Sequence, residues 1–216
     1  MKLQTTKQRG RQHKIKTPVE TYVTDRSERP SKIEINNLIA QEFKKRRGYY
    51  IILESEKRFT LKTLKKAGVD LNKVEVPNPY VFSSIKKWHK KTYNMLLSEY
   101  LDGVISVGET ETFGGVWFDY CCTIEGNQTV NPKEDLKKYF ENKLPNDNSI
   151  LAFTFSARSV SKQSYKYQGV VELINYVQRV AYDNGYVAIK HPCWYVYKDT
   201  SAGATMYFDM FEIRKR

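Results

Sequence analysis

Four short stretches carry the side chains whose types and spacing could do chemistry. Phe118-Asp119-Tyr120-Cys121-Cys122-Thr123 closes an apolar run with an acid and a tyrosine. A carboxylate at the end of a buried strand can accept a hydrogen bond from an amine and fix its orientation, which is catalysis by positioning. Tyr120 beside it offers a ring on which a base could stack. Glu54-Ser55-Glu56-Lys57 follows a second apolar run, and Val74-Glu75-Val76-Pro77-Asn78 ends a third. The fourth stretch, Thr154-Phe155-Ser156-Ala157-Arg158, leads into Lys162, Tyr165, Lys166 and Tyr167. Cations interleaved with aromatics suit phosphates and bases, and an ordinary soluble loop has the same composition. Cys121, Cys122 and Cys193 have no paired spacing, and His13, His89 and His191 are scattered. Neither a disulfide framework nor a metal site is expected. Nothing near Cys121 or Cys122 in sequence argues for an activated thiolate, and buried reduced thiols are the ordinary reading.

The elements that must position these residues can be read from periodicity and punctuation. Ser31, with Glu34 three residues on, is placed to cap a helix containing Ile35, Leu38, Ile39 and Phe43. That helix ends in Lys44-Lys45-Arg46-Arg47-Gly48, where cations suit the negative end of the dipole. Tyr49 to Leu53 reads as a strand, Phe59 to Ala67 as a helix stopped by Gly68, and Lys73 to Val76 as a strand stopped by Pro77-Asn78-Pro79. This is a βαβ unit. The spacing of Ile85, Trp88, Met95, Leu96 and Tyr100 predicts a long helix over Ser83 to Leu101, followed by a short strand at Val104 to Val107. Val116 to Phe118 is a strand after Gly114-Gly115. Asn131-Pro132-Lys133-Glu134 is a helix start with cap, first-turn proline and reaching glutamate. Ile150 to Phe155 has the unbroken apolar character of a central strand. A helix carries Val170, Val171, Ile174, Val177 and Ala181 and closes at Asn184-Gly185. Tyr186 to Tyr197 and Thr205 to Ile213 then form a hairpin around Asp199 to Gly203, with Pro192 marking a bulge or an edge.

Alternating strands and helices imply a mostly parallel sheet covered on both faces. From about Tyr49 to Ile213 the order of elements, with its closing antiparallel hairpin, resembles the Rossmann-fold class I methyltransferases. The resemblance implies S-adenosylmethionine as cofactor. It places Glu54 and Ser55 at the turn facing the methionine end of the cofactor, and Glu75 or Asn78 at the ribose. It sets Asp119 and Tyr120 where amino-methyltransferases hold the substrate amine toward the methyl group. The family's glycine-rich turn is absent, since Glu54-Ser55-Glu56-Lys57 holds no glycine, and so are the prolines that usually follow the fourth strand. Neither GxxxxGK[ST] nor a GxGxxG turn occurs in the right context for a P-loop or nicotinamide enzyme.

The 216-residue chain carries a net charge of +12. Such a balance favours a polyanionic partner, most naturally nucleic acid. Residues 1–30 form a basic stretch with Arg9, Arg11 and Lys14, no hydrophobic periodicity and the composition of a mobile arm on phosphates or of an ordinary disordered terminus. Residues 31–216 form one α/β domain. No apolar run approaches a membrane span, and the N-terminus has no secretory pattern, so an intracellular setting is expected. A lysine-, tyrosine- and asparagine-rich composition suggests an AT-rich genome such as that of a large virus or phage. Two functions fit: a methyltransferase acting on DNA or RNA, or a methyltransferase-like module without catalysis that binds nucleic acid or serves in an assembly.

Overall fold

The computed structural model describes residues 30–106, 112–156, 163–198 and 205–216. The basic segment with Arg9, Arg11 and Lys14, the stretch with Arg158 and Lys162, and the hairpin loop at Asp199 to Gly203 lie outside the described residues.

Eight strands form one sheet. Helix α1 (Pro30–Lys44) leads to β1 (Tyr49–Ile52), α2 (Phe59–Ala67), β2 (Val74–Pro77), α3 (Phe82–Ile85), β3 (Thr92–Tyr93), α4 (Leu97–Ser106) and β4 (Phe113–Asp119). Then follow α5 (Pro132–Glu141), β5 (Pro145–Ser156), α6 (Gln163–Asp183), β6 (Tyr186–Lys190), β7 (Tyr195–Lys198) and β8 (Thr205–Lys215). The order across the sheet is β3-β2-β1-β4-β5-β8-β6, with β7 also pairing β8. The first five strands in that order run parallel, and β8 enters antiparallel between β5 and β6, from Ser149↔Ile213 to Ser156↔Met206. The two final β-rich runs expected from the sequence thus become three strands. Residues His191 to Trp194, with Pro192, separate β6 from β7 along the outer edge of β8.

Side-chain alternation along the strands sorts the core into two layers. One holds Ile35, Ile39 and Phe43 of α1 and Leu61 and Leu64 of α2, packed on Ile52, Val74, Val76 and Trp117. The other holds Leu97 and Leu101 of α4, Leu136, Tyr139 and Phe140 of α5, and Leu173 and Val177 of α6, packed on Phe118, Phe153 and Phe211. The glycine pair opening β4 decides how close α1 may come. A Cβ on Gly115 would lie 2.4 Å from the Phe43 ring, and one on Gly114 2.2 Å from the Arg47 carbonyl oxygen. Tyr50 then fixes the far end of α1: its hydroxyl lies 2.9 Å from the Phe43 carbonyl and 2.6 Å from that of Arg46.

Three local expectations need correction. The long helix over Ser83 to Leu101 does not form. A single turn, α3, is followed by a loop, the two-residue β3 and the separate α4. His89 is the reason: its ring is buried and bonds the Val74 carbonyl at 2.7 Å, drawing the chain back onto β2. Val104 belongs to α4 and not to a strand. Helix α1 begins at Pro30, which places Ser31 inside the first turn instead of at the cap. Asn131 does cap α5, accepting from the Glu134 amide at 3.2 Å.

Candidate functional site

Strands β1 and β4 are neighbours in register, with Ile52 opposite Trp117. Two residues further on, Glu54 and Asp119 therefore reach the same carboxyl edge of the sheet, where open α/β folds bind ligands. The two carboxyls are close enough for the charge on Asp119 to be felt at Glu54.

Asp119 shares the α1-facing side of β4 with Trp117, two residues before it. There it meets Lys32, from the first turn of α1, whose ammonium donates to both Asp119 oxygens. The same ammonium sits 4.8 Å from the centre of the Trp117 ring. Burial alone would lower the pKa of Lys32. The Asp119 carboxylate outweighs that and holds the amine well above its ordinary pKa. Tyr197 of β7 closes the group, with its hydroxyl buried beside Lys32. Burial and the nearby Asp119 charge push its pKa up to about 12, with Lys32 opposing them. An amine thus sits in a cage of carboxylate, indole and phenol. Neither Lys32 nor Tyr197 stood out in the sequence. The first hides among the chain's many lysines, and the second is brought in only by the hairpin.

Glu54 is 4 % exposed and faces the start of α2. Its carboxyl oxygens accept from the amides of Ser55 at 2.8 Å and Leu61 at 2.6 Å. It serves as a remote cap for a helix whose own cap residue, Arg58, makes no side-chain bond. Burial nonetheless wins over those amides and pushes its pKa up to about 7. Arg58 stands at φ 58°, so the turn reaches the left-handed conformation that the missing glycine would ordinarily supply. Within this turn the Ser55 hydroxyl is buried and has no hydrogen-bond partner among the described residues.

The remaining expected residues divide. Asn78 lies at the edge, donating to the Glu54 carbonyl at 3.0 Å and accepting from the Tyr80 amide at 3.1 Å. It ties the ends of β1 and β2 together and keeps one N–H and one lone pair. Glu75 sits within β2, 3 % exposed, bonded by Lys91 at 2.6 Å and by the Tyr93 hydroxyl. Its carboxylate is spent inside the fold. Tyr120 points to the opposite face from Asp119, 4 % exposed, with its hydroxyl 2.7 Å from Asp135. The alternation of β4 takes its ring out of the crevice, so it offers no face to a base. Tyr165 and Lys166 fall in the first turn of α6 and not in a loop, and their side chains, like Arg158 and Lys162, lie outside the described part. The Cys122 thiol is pushed up to about 12 by burial and by Cys121, which disfavours a thiolate. Among the described residues no cluster of His, Cys, Asp and Glu could hold a metal ion, and no helix is long and apolar enough to cross a membrane.

With β8 inserted antiparallel beside β5 and the acidic groups gathered at the ends of β1 and β4, the architecture is that of the Rossmann-like methyltransferases. Comparison with solved structures gives the same fold. The N-methyltransferase NodS of Bradyrhizobium japonicum superposes with a TM-score of 0.54 at 10% identity, covering 88% of this chain and 99% of its own. A provisionally assigned RNA methyltransferase of Pyrococcus horikoshii gives 0.53 at 11% identity, over 87% and 84%. An O-methyltransferase of Bacillus cereus, solved with SAH, gives 0.51 at 12% identity, over 85% and 81%. No protein-family model and no curated protein matches the sequence. The likeness is one of fold.

Proposed function

We propose that this chain is an S-adenosylmethionine-dependent methyltransferase whose substrate is an amine on a nucleic-acid base. One observation carries the reading: the Asp119 carboxylate stands at the carboxyl end of β4, next to the Glu54 turn, and already holds an amine, that of Lys32. A substrate amine that takes the place of Lys32 meets the same carboxylate and the same Trp117 ring. Asp119 then orients the nitrogen by accepting its hydrogen bond, which contributes mainly through alignment. S-adenosylmethionine supplies the methyl group from its sulfonium.

The residues at the end of β1 fit that cofactor. The turn bends at Arg58 without glycine, and the Ser55 hydroxyl is an unanswered polar atom within it. Asn78, with its remaining N–H and lone pair, is the group left for the ribose; Glu75 is not available. The net charge of +12 favours a nucleic-acid substrate, and the Pyrococcus horikoshii neighbour is described in those terms.

A second reading, a nucleic-acid-binding module without catalysis, is favoured by the absence of glycine between Glu54 and Arg58 and by the internal partners of Glu75, Asn78 and Asp119. Calorimetry with S-adenosylmethionine, followed by transfer of labelled methyl to single-stranded oligonucleotides, separates the two. The enzyme reading expects binding that Ser55→Leu weakens, and transfer that Asp119→Ala lowers about 100-fold. No binding of the cofactor by the wild-type chain discards it in favour of the second.

A further inference from the structure

The sequence Lys86-Lys87-Trp88-His89-Lys90-Lys91 joins α3 to β3 and sorts its side chains into two sets. Three are tied down by contacts within the fold, Lys86 while still exposed. His89 bonds the Val74 carbonyl at 2.7 Å, and burial lowers its pKa. Lys86 donates to the carbonyls of Lys90 and, at 3.1 Å, Thr92. Lys91 pairs with Glu75 and lies 4.7 Å from the Tyr49 ring centre. The other three, Lys87, Trp88 and Lys90, are displayed to solvent. Trp88 is 66 % exposed, and neither exposed lysine has a carboxylate partner among the described residues.

What sets Trp88 apart is its setting: an exposed indole between two exposed lysines on a loop held in place by its neighbours. Arg58 stacks its guanidinium 4.2 Å from the centre of the Trp88 ring, which leaves the rest of the indole open. Arg58 is also the residue that starts α2, four residues beyond Glu54, so this platform adjoins the rim of the crevice. The sequence here is basic: from Lys44 to Lys91 it holds fourteen Lys and Arg against four Asp and Glu.

We infer that the loop Lys86–Lys91 together with Arg58 is a seat for single-stranded nucleic acid, with an unpaired base stacked on Trp88 and the flanking phosphates met by Lys87 and Lys90. This rests on the nucleic-acid part of the proposed function and not on catalysis. Stacking requires a base free of its duplex neighbours, and a π-face accepts any base. The seat is therefore selective for single strands and tolerant of sequence. Being anchored by His89, Lys86 and Lys91, it is ordered before the strand arrives, which reduces the entropy lost on binding.

The test is fluorescence anisotropy of the full chain with labelled U12 RNA, dT12 DNA and a 12-base-pair duplex over a range of salt. Trp88→Ala should weaken binding of both single strands about tenfold or more and leave the duplex within twofold. Trp88→Phe, which keeps a ring, should restore most of the loss. Lys87→Glu with Lys90→Glu should weaken binding and lower the salt slope by roughly 1.4, the loss of two phosphate contacts. Single-strand affinities unchanged in both variants would overturn the proposal, and so would a duplex affinity that falls as far as the single-strand one. Calorimetry with S-adenosylmethionine on the same proteins keeps the readings apart. Cofactor binding with unaltered oligonucleotide affinity sinks only the seat; Trp88-dependent strand binding without cofactor binding sinks only the enzyme.

Discussion

The two faces of the sheet are built on different principles. Under α4, α5 and α6 the packing is a chain of rings: Phe118 meets Tyr139 edge-on at 6.0 Å, Tyr139 meets Phe140 at 5.5 Å, and Phe140 meets Tyr186 at 5.8 Å. Phe153 stacks on Phe211, and Phe155 on Tyr207. Under α1 and α2 the packing is mostly aliphatic and is interrupted by ions: Lys32 on Asp119, Glu54 beneath α2, and Glu42 held by Lys45 and Arg46. Charge is also uneven along the sequence. The segment Lys44 to Lys91 is strongly basic, whereas Thr92 to Arg216 holds thirteen Lys and Arg against fifteen Asp and Glu. The lesson is a division of labour. One face commits a chain of rings to stability, and the other sets a partly buried ion pair at the edge where ligands would come.

The comparison can be broken by perturbing each face in turn. The largest effect is expected from Phe118→Ala on the ring-packed face, a loss of about 4 kcal/mol by chemical denaturation, with oligonucleotide binding of the folded fraction unchanged. A smaller loss would mean that this face is not the principal store of stability. Next, Lys32→Met should cost about 3 kcal/mol, because it leaves the Asp119 carboxylate largely buried without its partner. Asp119→Asn in the Lys32→Met background should recover much of it. If the second change adds its own loss instead, the pair is not coupled and the ionic description of this face fails.

The last effect is a pH dependence. Glu54 is raised from 4.5 to about 7, so between those values the folded state holds a proton that the unfolded state has released. Its contribution is full below pH 4.5 and is lost as pH rises through about 7, on the order of 3 kcal/mol. Asp135 on the other face, raised from 3.8 to about 6 by burial, slopes the same way over a lower window. Glu54→Gln should flatten denaturation free energies between about pH 6 and 7 and leave only the slope of Asp135 at lower pH. A wild-type protein with constant stability across the whole range would contradict both assignments.

Much of the framework was legible because it is written in local signals. The helix before β1, the stop at Gly68, the cap at Asn131 and the apolar run of β5 each follow from neighbours in sequence. The error at Ser83 to Leu101 arose because Ile85, Trp88, Met95 and Tyr100 imitate helical spacing, while the decisive contact runs from His89 to the Val74 carbonyl. The candidate site was legible to the extent that strand ends determine it, which brought out Glu54, Asn78 and Asp119. It was illegible where tertiary contacts supply the partner. Lys32 reaches Asp119 from 87 residues away, and it can do so only because Gly114 and Gly115 let α1 settle against β4. Tyr120 failed for a simpler reason, since adjacent residues of a strand face opposite ways.

The position of β8 has a consequence for synthesis. The strand that fills the gap between β5 and β6 is translated after both of them, so a nascent chain carries an open seam along Ser149 to Ser156, apolar and hydrogen-bond hungry, until Thr205 to Lys215 leaves the ribosome. That interval is when another chain could zip onto β5. Products cut short before Thr205 would keep the seam for good, and should appear in the aggregated fraction of a cell extract while the full-length protein stays in the supernatant.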